Sequence, residues 1–130
     1  MSPPIEGMHP QLEAVHPVLG CGDVARSIRF YAALGFDCVW QDSPTEPKYA
    51  CIRRDAVELH LQWHASALRD PTEDRPVFRF LVRDVDGLCR AFRARPEVTD
   101  LKDAFDTPWG TREFHLRDPD RNGLQFYRPR

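Results

Sequence analysis

The chain has 130 residues, 42% of them hydrophobic and 29% charged, which is enough for one domain with a core of its own. Its formal net charge is -2, and the 18 Lys and Arg are interspersed among 20 Asp and Glu, so no basic nucleic-acid surface stands out. No apolar run approaches the roughly 18 residues a membrane span needs, and the opening MSPPIEGMHP lacks the apolar segment of a secretory signal.

Residues 1–12 are rich in Pro and without pattern, and read as a flexible arm. Residues 14–21, AVHPVLGC, have the look of a strand. Asp23 then offers a helix N-cap, with Val24, Ile28 and Tyr31 at helical spacing and Phe30 and Leu34 widening the stripe. Gly35 is placed to end that helix in the left-handed conformation. FDCVW (36–40) is a short strand and QDSPTEP a loop broken by Pro44 and Pro47. YACIRR and AVELHLQW follow as strands turning at Arg54-Asp55. Residues 64–75 are a polar linker.

The pattern then restarts. VFRFLV (77–82) is a strand and Asp84 a second N-cap, before Val85, Leu88, Cys89 and Phe92 at helical spacing. Pro96 stops the helix. Strands are expected at about 98–105, 111–117 and 123–128, with Asn122-Gly123 supplying the positive-φ turn residues. The order β-α-β-β-β thus occurs twice, and Asp23-Val24 and Asp84-Val85 lie 61 residues apart. This is the mark of a tandem duplication, with module one at 13–63 and module two at 76–130. The fold class is α+β. Neither half can bury both faces of its sheet, so two curled sheets must be paired, within a chain or between subunits, to close a cavity.

The four cysteines, Cys21, Cys38, Cys51 and Cys89, form no CxxC pair. They read as buried free thiols of a protein kept in a reducing cytoplasm, not as zinc ligands.

The stretch HPVLGCGDVARSIRFYAALGF resembles the opening module of the vicinal oxygen chelate superfamily. That superfamily includes glyoxalase I, extradiol dioxygenases, fosfomycin-resistance enzymes and bleomycin-resistance proteins. The closing stretch PWGTREFHLRDPDRNGLQF is most similar to the bleomycin-resistance branch. The resemblance implies the glyoxalase/bleomycin resistance/dioxygenase fold and a homodimer. It also implies where metal ligands stand in metal-dependent members: here at His16, Glu58, Val77 and Gln125.

Chemistry weighs against a complete metal site. Val77 supplies no donor and Gln125 only a neutral carbonyl, leaving His16 and Glu58. A lyase, isomerase or thiol transferase using Zn, Ni, Fe or Mn at those two residues is the alternative reading. The preferred reading has no cofactor and no catalytic residue. It is a pocket for a small, partly aromatic molecule such as a bleomycin-type antibiotic, lined by Trp109, Trp63, His60, Arg112, Arg79 and Gln125. His60 shares strand parity with Glu58; Val77 and Arg79 share one face, and Phe78 and Phe80 the other. Near-neutral charge, with Arg53, Arg79 and Arg112 near the cavity, suits a neutral or anionic ligand.

Overall fold

A computed structural model describes residues 10–65 and 75–130. Module one runs β1 (Val18–Cys21), α1 (Val24–Ala33), β2 (Asp37–Gln41), β3 (Tyr49–Arg54) and β4 (Val57–Trp63). Module two repeats it as β5 (Val77–Leu81), α2 (Val85–Arg93), β6 (Phe105–Asp106), β7 (Thr111–Arg117) and β8 (Gly123–Pro129). Each module is a four-stranded mixed sheet, ordered β1-β4-β3-β2 and β5-β8-β7-β6. In each, the first strand runs parallel to the last and the other pairs are antiparallel. No helix among the described residues is long and apolar enough to cross a membrane.

Both helices start where the sequence places their caps. The Asp23 side chain accepts from the Arg26 amide at 3.0 Å and Asp84 from the Gly87 amide at 2.9 Å, satisfying donors that a first turn leaves open. Gly35, at φ 89°, follows the C-cap of α1. Each helix packs on one face of its own sheet. Leu19, Ile52, Leu59 and Leu61 meet Val24, Tyr31 and Leu34; Phe114, Leu116, Leu124 and Phe126 meet Val85, Cys89 and Phe92. These sets form one continuous core. Phe80, Phe126 and Phe114 stack through it at centroid distances of 4.8 and 5.0 Å.

A polar joint ties module two to module one. The β7–β8 turn reaches α1, where Tyr31 donates to Asp118 at 2.8 Å. Asp120 accepts from the Gly22 amide, Arg26 and Ser27. The Asn122 amide donates to the Gly20 carbonyl at 3.3 Å and to Asp118 at 2.9 Å.

Several expectations are corrected. The first strand begins at Val18, not Ala14; Pro17 has no N–H for a ladder, and only its carbonyl pairs, with the His60 amide. The strand expected at 98–105 shrinks to Phe105–Asp106, because Val98, Leu101 and Ala104 peg the preceding loop onto the core instead. The positive φ of the last turn falls on Arg121, at 65°, not on Asn122 or Gly123. Gly123 is required for space, since a Cβ there would come within 2.9 Å of a Val77 methyl. Cys21 and Cys89 are buried and free, but Cys38 is exposed and Cys51 only half-buried. Burial pushes the Cys21 thiol up to about 12, which makes it unreactive. The N-terminal arm falls mostly, and the linker almost wholly, outside the described residues.

Candidate functional site

Because each helix covers one face of its sheet, the alternate residues of every strand stand on the opposite, open face. In module one these are Val18, Trp40, Tyr49, Cys51, Arg53, Glu58, His60 and Gln62. The register sets Cys51 opposite His60 and Arg53 opposite Glu58. His16, just before β1, joins them. In module two the open face carries Val77, Arg79, Phe105, Glu113, His115, Gln125 and Tyr127, with Arg79 opposite Gln125 and His115 opposite Gln125 from the other side.

The module-one face is built around Glu58, whose side chain is 16% exposed. One of its oxygens takes His60 Nε2 at 2.8 Å and His16 Nδ1 at 3.2 Å; the other takes Arg53 at 2.7 Å. The hydrogen bond from His60, that from Arg53 and the nearby His16 hold the Glu58 carboxyl down at about 2. Ionised Glu58 can only accept, so in neutral His60 the proton sits on Nε2 and Tyr49 donates to Nδ1 at 2.7 Å. One donor atom each from His16, Glu58 and His60 lies within 4.8 Å of the others, which is close enough to share a metal ion. Two imidazoles and a carboxylate suit a transition metal.

The duplication shows what module two has in that place. His16 corresponds to Val77, since each precedes its helix cap by seven residues. Two residues further along β1 and β5, Val18 pairs with His60 and Arg79 with Gln125. The counterpart of Gln125 is therefore His60, and Glu58 matches Gly123. Module two thus has Val77, Gly123 and Gln125 where module one has three metal donors. In their place it has Glu113, a carboxylate only 1% exposed, which receives Arg79, Thr111 and His115 at 3.1, 2.7 and 2.8 Å. Burial works against its charge, but those three hydrogen bonds prevail and hold its carboxyl at about 2.

Not every residue singled out in the sequence reaches an open face. His16, Glu58, His60, Arg79 and Gln125 do. Arg112 does not: it shares parity with Phe114 and Leu116, turns toward α2, and forks onto Asp86 at 2.8 to 3.2 Å and Asp106 at 3.0 Å. It clamps helix to sheet. Trp63 likewise has the parity of Leu59 and Leu61; it lies past the end of the core, with the Lys48 ammonium 4.8 Å from its ring centroid. Trp109 sits in the β6–β7 turn beside Gly110 and is 70% exposed, so it anchors no core. Tyr49 and Tyr127 are not among the residues expected at the site; Arg53, expected near the cavity, stands across from Glu58 because of the tight turn after Arg54.

A cavity of about 230 Å³ on the module-two side is lined by Val77, Lys102, His115, Gly123 and Gln125 among others. Clefts of about 730 and 790 Å³ lie between the modules, beside Arg54 and Phe92; Arg53 lines the first, but Glu58, His60, Arg79 and Glu113 line neither. We place the site on the open faces, where the polar groups converge.

The model of the glyoxalase/bleomycin resistance protein/dioxygenase superfamily matches residues 13–126. The chain belongs to that superfamily. Within it, a bleomycin resistance protein of Geobacillus stearothermophilus is 31% identical over 130 residues, covering 85% of this chain and 92% of its own. The structure of a bleomycin-binding protein complexed with bleomycin has a TM-score of 0.76 at 20% identity, covering 92% of this chain and 100% of that one. A glyoxalase-related enzyme from Clostridium phytofermentans has a TM-score of 0.74 at 18% identity, covering 95% and 99%. The superfamily fold is therefore common to a binder and an enzyme-related protein, and the distinction rests on side chains.

Proposed function

We propose that this protein sequesters a small molecule of the bleomycin type in a pocket closed by two copies of the chain, without turning it over. The observation that carries the reading is the module-two face, where Val77, Gly123 and Gln125 stand opposite in role to His16, Glu58 and His60. The relative of 31% identity supports the ligand class. Both open faces expose apolar side chains, Val18 and Trp40 on one and Val77, Leu81 and Phe105 on the other, which a second copy would cover. Sequestration protects by mass action, so it requires tight binding and abundant protein. The free thiols suit a reducing compartment, the cytoplasm.

The test is calorimetric titration with bleomycin, with the ligand recovered and weighed by mass spectrometry, and light scattering to give the size of the complex. Unaltered bleomycin bound to a dimer is expected. No binding at about 100 μM, a strength too weak for sequestration, would overturn the reading. Position gives a second expectation. Trp109→Ala should weaken bleomycin at least about tenfold, as loss of an aromatic contact does. Arg112→Ala should leave the affinity unchanged and lower only the melting temperature, because Arg112 clamps α2 on the other face.

A second reading is favoured by the three donors gathered on module one. His16, Glu58 and His60 would hold a divalent Zn, Ni, Fe or Mn, and a lyase, isomerase or thiol transferase would use it to polarise ligand oxygens. Elemental analysis of untagged protein decides. About one such metal per chain, lost in His16→Ala, selects the enzyme; no stoichiometric metal selects the binder.

A further inference from the structure

We infer that Arg79 is a rigid stacking platform for a flat, electron-rich ring that carries no positive charge. This deepens the binding reading above and rests on it. The guanidinium lies over the Tyr127 ring, 4.1 Å from its centroid. It donates to Gln125 Oε1 at 2.6 Å and to the two Glu113 oxygens at 3.4 and 3.1 Å. Glu113 is itself fixed by Thr111 and His115 and is buried.

The Tyr127 ring covers one side of the guanidinium, Gln125 and Glu113 engage both terminal nitrogens, and the side chain remains 38% exposed on the open sheet. A guanidinium so held cannot swing out to meet a ligand. It offers a planar, delocalised cation that is weakly hydrated and already oriented. Such a surface attracts the negative face of an aromatic ring. It repels a ring bearing its own cation. Because Glu113 neutralises Arg79, a net negative charge on the ligand helps less than flatness does. Phe105, 42% exposed across from Glu113 and with its ring 5.2 Å from His115, gives the platform an apolar margin.

The experiment uses the full chain and three probes: naphthalene-2-carboxylate, the saturated decalin-2-carboxylate, and naphthalen-2-ylmethylammonium. Affinity is read by calorimetry and the Arg79 Nε–H by NMR. Naphthalene-2-carboxylate is expected to bind, to shift the Arg79 resonance upfield, and to bind about tenfold more tightly than either other probe. Arg79→Lys keeps the charge near Glu113 but loses the plane; Tyr127→Leu keeps Arg79 but removes its floor. Each should weaken naphthalene-2-carboxylate about tenfold. Equal binding of the decalin or the ammonium probe, no binding of naphthalene-2-carboxylate, or unchanged affinity in both variants would overturn the proposal. Bleomycin titrated against the same proteins separates the two readings. A platform that stacks naphthalene-2-carboxylate in a protein blind to bleomycin sinks sequestration alone. Bleomycin binding with no role for Arg79 or Tyr127 sinks the platform alone.

Discussion

Asp118→Ala is expected to destabilise the protein by about 3 to 5 kcal/mol, read as a lower urea midpoint at pH 7. The carboxylate is 3% exposed and serves four donors at once: the Tyr31 hydroxyl, the backbone amides of Asp120 and Asn122, and the Asn122 side chain, at 2.8 to 2.9 Å. Alanine would leave those donors buried without an acceptor, and Tyr31 is 0% exposed. It would also open the joint by which the β7–β8 turn holds α1. The pH dependence carries a sign. Burial pushes the Asp118 carboxyl above the ordinary range, against the hydrogen bonds from Asn122 and Tyr31. A raised folded value means that this group's contribution is complete below its unfolded value and is lost as pH rises through the folded one. Asp118→Asn, which has no charge to desolvate, should remove that slope. A loss under about 1 kcal/mol for Asp118→Ala would show that water replaces the four bonds and that the joint is weak.

The sequence revealed most where one strand or helix decides the matter alone. The two Asp caps, the 61-residue repeat and the parity that gathers Glu58 with His60 and Val77 with Arg79 are all local, and all are present in the structure. The same parity was enough to turn Arg112 and Trp63 away from the open faces. Other features depend on pairing between distant segments. Asp118 meets Tyr31 across 87 residues and Asp120 meets Gly22 across 98, and no local pattern announces either contact. The match of His60 to Gln125 needed the strand register, because counting back from the helix caps aligns only the first strands. The sequence shows Glu113 only as a carboxylate two residues before His115. Only the sheet shows that it is buried and paired with Arg79.

Glu113→Gln should give the opposite pH behaviour to Asp118. The substitution keeps the shape of the side chain and leaves Arg79 without a counter-ion over a buried amide. The wild-type carboxyl is held at about 2 although burial opposes its charge. A depressed folded value means that the stabilisation is present above the unfolded value, near 4.5, and is lost as pH falls through the folded one. At pH 7 the cost of Glu113→Gln is expected to be about 2 kcal/mol, less than the full linkage value because Arg79 and His115 both remain in contact with water. The difference between the two proteins should shrink below pH 4.5 and disappear near pH 2. Urea unfolding at pH 7, 4 and 3 measures it, and a difference constant across that range would mean that shape, not charge, makes Glu113 matter. The comparison also bears on binding. If the ion pair is what keeps Arg79 flat on Tyr127, Glu113→Gln should loosen the guanidinium and weaken a stacked ring even at pH 7, where Arg79 keeps its charge.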